Sequence, residues 1–466
     1  MLGKEKGSIT IYLAIIFAAL VIFLGLFIDL ARIKIAQNQL RRIANASARS
    51  VVANYNTGLK NQYGLFAVNK SDYNRDFRRY LQANLAATAG SGFFSYRLES
   101  STFNANKQLA DSLKGQILEE MKYKAPVIIT REIVNKFRQV EDISSNYNRQ
   151  KDKGKAELSR KKQPTPGSKG GGTTSGTKAD AAPGTDKDAS PATAATEAAR
   201  KSLLAQLKAY RGKSPLKVED VVGAGNLFNP SQFDPARADA NSNQVKGIFD
   251  LVTSPDSLLK LRDQLFINEY ILARFPNLSV GREKVMDAEY VICGGKPGTN
   301  LKAAIVTRLF PLRMALDTMA YLAFSQAPPE LLSRLIYSLT MGALQGALDT
   351  YQLLEGRQVT IAAMQPGNPL DKIQSLQLGY QDHLRLLLLL GGVSEAEKLD
   401  RITRLVNYRA GIDPASSGTV LGGQVGISFR LWFLPMGGLG NLDNGPFGTR
   451  VQKGRCYITK AVEFGY

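Results

Sequence analysis

Histidine occurs once in this sequence, at His383, and cysteine twice, at Cys293 and Cys456. Any His-ligated metal site, and nearly every Ser-His or Cys-His relay, would therefore have to pass through a single imidazole. His383 lies in YQDHLRLLL, whose apolar residues recur at helical spacing, so an amphipathic helix accounts for it without catalysis. The cysteines lack metal-ligand spacing and are too few for a disulfide framework. They could pair only if the fold brought their Cα atoms within about 7 Å, and two small buried thiols are the expectation. Asp142, Ser144 and Ser145 come close to the DxSxS pattern of some metal-binding adhesive domains, but Asn146 breaks it. GSKGGGTTSGT is as glycine-rich as a phosphate loop and lacks the GK[ST] ending. No catalytic, metal or cofactor-binding residue is expected, and no cofactor.

The element that positions everything else is the run from Ser8 to Ile28, SITIYLAIIFAALVIFLGLFI. It is free of charge and about the length a helix needs to cross the hydrocarbon core of a bilayer. Lys4 and Lys6 precede it, and Asp29, Arg32, Lys34, Arg41 and Arg42 follow. A cleaved secretory signal has a similar start, but this run is longer than a typical signal core and no small-x-small site follows it. A retained anchor is expected. Beyond the lipid, Leu30, Ile33, Ile35, Leu40, Ile43, Ala44, Ala48, Val51 and Val52 recur mostly at three- and four-residue steps, with Arg32, Gln39, Arg42 and Arg49 between them. That spacing predicts an amphipathic helix continuing out of the membrane, to pack on a domain or a partner.

The 466 residues allow two or three domains, and 44% hydrophobic with 21% charged residues is ordinary for folded protein. The formal net charge of +20 favours anionic surfaces: lipid head groups, wall polymer or nucleic acid. Its lysines and arginines concentrate near the anchor and in a linker rather than among aromatics on one face, so no specific nucleic-acid partner is expected.

The fold class expected is α+β, mainly α. Residues 1–55 form the transmembrane helix with its amphipathic extension. Residues 56–143 form a small membrane-proximal α+β unit, with a β-prone run at 61–69, a helix at 71–87, a strand at 93–104 and a helix from 108 to 139. Residues 144–198 are rich in Gly, Ser, Thr, Ala, Pro and Lys, too poor in large apolar residues to offset chain entropy, and read as a disordered linker. Residues 199–410 read as a helical domain. Arg308, Arg313, Asp317, Arg334 and Asp349 interrupt its most apolar segments, which favours buried core helices over membrane spans. GALQG, Gly342 to Gly346, has the small-xxx-small spacing of close helix contact. Residues 411–466 read as a C-terminal β element of two or three strands drawn from TVLGGQVGISFRLWFLP and CYITKAVEFGY.

KGSITIYLAIIFAALVIFLGLFIDLARIKIAQNQLRRIANASARSVVA resembles the amino-terminal segment of TadE- and TadG-like proteins of Tad (Flp) pilus and type II/IV secretion-like systems: a Gly-Ser start, an uninterrupted apolar span, an Asp-Leu-Ala-Arg exit and a small-residue helix. NQYGLFAV, LKGQILEEMKYKAPV, NEYILARFPN, AEYVICGG, LKAAIVTRLFPLRMALD and GYQDHLRLLLLL resemble, in order, a Gram-positive family of unassigned function associated with such loci. The resemblance implies a system and a location rather than a reaction. Pilin precursors place a Glu five residues after the processing point, whereas the fifth residue after Gly7 is Tyr12. The basic leader is therefore expected to stay attached. Two Lys/Arg before the span against four soon after it would put the large domains inside the cell, but long carboxy-terminal domains translocate largely regardless of such charge. The resemblance implies a cytoplasmic amino terminus.

Two functions follow. One is a non-enzymatic, membrane-anchored component of Tad/Flp-type pilus assembly or a related secretion system. Its partners would be pilus or secretion-system membrane proteins, pilins, the lipid bilayer and anionic wall polymers, and Asp29 and Arg32 would be central to assembly. The alternative is a tethered extracytoplasmic hydrolase or binding protein for cell-wall polymer, which needs paired carboxylates in a cleft.

Overall fold

The computed structural model describes residues 6–70, 73–89, 94–128, 191–222, 255–280, 285–322, 331–360, 377–390, 392–437 and 440–466. It is mainly helical with some antiparallel sheet. Two compact units emerge: Met1–Ile117 with Thr403–Tyr466, and Leu118–Ile402.

The first unit is organised on α1, a continuous helix from Lys6 to Ala53. Its 48 residues give a length of about 72 Å. Every side chain from Thr10 to Leu24 is exposed, and then a buried stripe begins. Gly25, Asp29, Arg32, Ile33, Ala36, Gln37, Leu40, Ile43, Ala44, Ser47, Ala48 and Val51 are buried, in the three- and four-residue steps of one helix face. The amphipathic extension is thus present with two changes: Ile35 faces solvent at 48% exposure, and Arg32 is buried at 5%.

Against that stripe stand α3 (Tyr73–Ala89) and a five-stranded antiparallel sheet of order β1-β4-β7-β6-β5. Its strands are β1 (Arg97–Gln108), β4 (Gly418–Arg430), β5 (Leu442–Gly445), β6 (Thr449–Gln452) and β7 (Arg455–Gly465). β1 is therefore an edge strand paired along its length with β4, from Arg97↔Ser428 to Gln108↔Gly418. The carboxy-terminal strands join the amino-terminal strand rather than closing the helical domain, and there are four of them, not two or three. Leu431 to Pro435, expected as strand, turns instead and enters a 3-10 turn at Leu434–Gly437. Phe77 and Phe103 stack at 4.2 Å in a core shared with Ile33, Leu40, Val425, Phe429 and Ile458.

The run at 61–69 is only marginally β. Its start belongs to α2 (Thr57–Tyr63), capped by the Asn56 side chain accepting from Leu59 N and ended by Gly64 at φ 69°. Val68 alone bridges to Gly418. Gln116 on α4 (Leu109–Ile128) fixes the segment by accepting from Phe66 N at 2.7 Å and donating to Phe66 O at 2.9 Å. The remainder of the 108–139 helix, and the linker up to residue 190, lie outside the described residues. Residues 191–198, assigned to that linker, already begin α5 (Pro191–Lys213).

The second unit is helical. It contains α5, α6 (Val218–Val222), α7 (Pro255–Arg274), α8 (Asp287–Cys293), α9 (Lys302–Leu322), α10 (Leu331–Leu354) and α11 (Tyr380–Leu390), a two-stranded β2-β3 ladder (Val359–Thr360, Gln377–Leu378) and the start of α12 (Glu395–Ala410). Helices α9 and α10 meet almost backbone to backbone. A Cβ on Gly342 would stand 2.6 Å from Thr318 N, and one on Gly346 2.8 Å from Met314 N. The GALQG spacing therefore serves a core contact. Among the described helices α1 alone is long and apolar enough to cross a membrane.

Candidate functional site

Asp29 sits one residue beyond the uncharged span, and its carboxylate is completely buried. It accepts three successive backbone N–H groups, from Trp432 at 3.1 Å, Phe433 at 2.7 Å and Leu434 at 2.8 Å. Leu434 opens the 3-10 turn, so Asp29 caps from α1 the free donors at the start of a short helix 405 residues away in sequence. Arg32, one turn further along, donates to Asp29 Oδ1 at 3.3 Å and lays its guanidinium 3.7 Å from the centre of the Trp432 ring, with Phe94 and Phe429 at 5.4 and 5.7 Å. The pair is buried, and each charge is matched: the carboxylate by amides and guanidinium, the guanidinium by carboxylate and aromatic faces.

Neighbouring contacts extend the joint both ways. Toward the span, Gly25 leaves room for Phe433, whose Cδ1 would be 2.8 Å from an added Cβ. Away from it, Lys34 lies 5.3 Å from the Phe447 ring and Gln37 donates to Phe447 O at 3.0 Å. Tyr96 donates to Gln39, and burial raises its hydroxyl pKa. Asp29 and Arg32, expected to face partners, are thus consumed inside the chain's own fold. The sequence signal for them was the charged exit itself; nothing local in LWFLP marked its backbone amides as the donors to Asp29.

The remaining candidates are structural. His383 is wholly buried on α11, its Nδ1 2.7 Å from Gly379 O, and burial with the nearby Arg313 charge lowers its pKa to about 3. At neutral pH it is an uncharged imidazole donating from Nδ1 to a carbonyl. Cys293 and Cys456 are both free, and burial pushes the Cys293 thiol up to about 11, where little thiolate forms. Asp142, Ser144 and Ser145 lie outside the described residues. No cluster of three or more His, Cys, Asp or Glu able to hold a metal ion occurs among the described residues.

Paired carboxylates do occur, in the second unit. Asp317 (α9) and Asp349 (α10) both bind Arg313, which donates to Asp317 Oδ1 at 2.7 Å, to Asp349 Oδ2, and to Thr360 O at 3.0 Å. Gln345 donates to Asp349 Oδ1 at 2.6 Å. All three charged side chains are at most 2% exposed, so no polymer reaches them. This is an ion-pair core, not a hydrolytic cleft. An open, basic feature lies instead on the first unit, a cleft of about 620 Å³ lined by Asn74, Arg75, Arg78, Arg79 and Gln82 of α3 with Ser101 of β1. The run RDFRRY carried its signal as arginines three and four apart on one helix face.

Among the described residues α1 is the one helix whose length and composition are consistent with single-pass membrane anchoring, and it is also a core helix of the first folded unit. Residues 7–54 match the family model described as "Putative Flp pilus-assembly TadE/G-like", which covers almost the whole of α1. The amino-terminal segment is therefore TadE/G-like, in keeping with a membrane component associated with Tad pili. No curated protein and no solved structure matches the chain.

Proposed function

We propose that this protein is a non-enzymatic, membrane-anchored component of Tad/Flp-type pilus assembly or a related secretion system. Its leader is retained, its amino terminus is cytoplasmic, and the part of the first unit beyond the span lies, with the second unit, on the extracytoplasmic side. The observation that carries the reading is the welding of α1 to the first unit. The buried stripe from Gly25 to Val51 and the Asp29 joint make the anchor and the domain one rigid piece, so a force or contact in the bilayer reaches the domain without a hinge. Such a connection suits a component that packs its span beside other spans and presents its domain to pilus subunits. A tethered hydrolase needs only a leash.

Partner contact then belongs to surfaces the fold leaves open. These are the lipid-facing side of α1, where Ile11, Leu13, Phe17, Leu20 and Phe23 are each more than half exposed, and the arginine cleft, whose charge suits acidic segments or anionic wall polymer. Co-purification from detergent extracts tests this. The full chain is expected to bring down membrane proteins and pilins of the same locus. Changing Leu13, Phe17 and Leu20 together to Ala, which leaves the span apolar, is expected to lower that recovery several-fold. Unchanged recovery in the variant, or recovery of no pilus component by the parent chain, contradicts the proposal.

A further inference from the structure

We propose that the Trp432–Phe433 turn is a second membrane contact, an aromatic wedge held by Asp29 and seated in the interfacial layer of the leaflet from which the folded units emerge. The inference rests on α1 being the membrane anchor. Trp432 and Phe433 are 45% and 37% exposed, whereas Leu431 and Leu434 on either side are buried at 2%. The fold therefore turns two large aromatic rings outward between two core leucines.

Their placement along α1 follows the layering of a bilayer surface. Phe433 packs on Gly25, inside the uncharged span and about 6 Å deeper than Asp29 along the helix. Beside it α1 exposes Leu24 and Phe27, at 54% and 64%, to the same lipid. Trp432 lies at the level of Arg32, and above it come Lys34 with the half-exposed Phe447 ring, then Arg41 and Arg42. Apolar ring, indole, then cations is the order in which hydrocarbon, interface and anionic head groups are met on leaving a membrane, and Trp is enriched at that middle depth. Three N–H bonds to one buried carboxylate keep the turn from retreating into water or swinging away. The anchor then has two attachment points, a span and a wedge, which fix its depth and resist tilt.

Trp432 is the single tryptophan of the chain, so intrinsic fluorescence of the full-length protein reports on this turn alone. The test reconstitutes the purified chain in phosphatidylcholine/phosphatidylglycerol vesicles and checks flotation. Trp432 quenching by lipid brominated near the top of the acyl chain, by lipid brominated near its end, and by aqueous iodide is then compared. The expected result is flotation with the larger loss of emission to the shallow bromine, as the interfacial depth of Trp requires, a smaller loss to the deep one and protection from iodide. Flotation with Trp432 quenched by iodide and untouched by either bromolipid overturns the wedge while leaving the anchor standing, and assigns the aromatic face to a protein neighbour. Failure to float overturns anchor and wedge together. Phe433→Ser is expected to float as before with Trp432 shifted toward iodide; no shift contradicts the wedge.

Discussion

Asp29→Ala is expected to detach the Trp432–Gly437 turn from α1 and to cost the first unit about 3 to 5 kcal/mol, the range for removing one partner of a buried charge pair. The change leaves three amides without their acceptor and strands the Arg32 guanidinium, 5% exposed, in an apolar setting. Asp29→Asn retains acceptor oxygen and loses charge, so it should fall between the two. Asp29→Ala/Arg32→Met removes both charges and should lose less than the sum of its parts, because the stranded cation goes with its partner. Hydrogen exchange followed by mass spectrometry reads this locally. Peptides covering residues 431–437 and the 25–40 stretch of α1 should exchange faster, while α9 and α10 peptides of the second unit stay protected. Equal protection in wild type and Asp29→Ala would show that the joint carries no stability.

In the second unit the corresponding expectation falls on Arg313. Asp349→Ala is expected to cost a similar 3 to 5 kcal/mol, since Arg313 is wholly buried and its other partner, Asp317, cannot replace both contacts. The damage should be concentrated where α9 and α10 touch at Gly342 and Gly346, because backbones that approach this closely leave little room to repack around a missing side chain. A triple replacement by apolar residues of similar volume, Arg313→Met with Asp317→Leu and Asp349→Leu, is expected to recover most of the loss, as buried ion pairs often exchange for hydrocarbon at little net cost. Urea unfolding with exchange protection of α9 and α10 measures both. If Asp349→Ala matches wild type, the ion triad is incidental to the fold.

How far these features can be read from residues alone differs from one to the next, for physical reasons. The span needs only composition and length, both local. The α1 extension follows from spacing, but spacing placed Ile35 inside and Arg32 outside. The structure reverses them because a guanidinium can be buried when a carboxylate and three aromatic rings surround it. GALQG was readable as a close contact because only small residues allow backbones to touch. The pairing of β4 with β1 was not readable, because alternation says that a strand exists and nothing about which edge, more than 300 residues away, will accept it. The Asp29 joint fails for the same reason. Its donors are backbone amides in an ordinary apolar turn, and backbone donors carry no sequence signature. His383 is buried on α11, where apolar neighbours at helical spacing are a local signal, and Cys456 is buried in β7, whereas Cys293, expected as a buried thiol, is only half-buried.

Everything proposed for partner contact requires α1 to stay in the membrane with the rest of the first unit and the second unit on the extracytoplasmic side. A site for a specific protease placed in the glycine-rich stretch at 166–176, together with an amino-terminal tag, tests that directly. Protease added to intact protoplasts is expected to cut every copy, and on a denaturing gel the tagged fragment should stay in the carbonate-washed membrane pellet. A chain cut only after lysis, or a tagged fragment recovered in the soluble fraction, contradicts it.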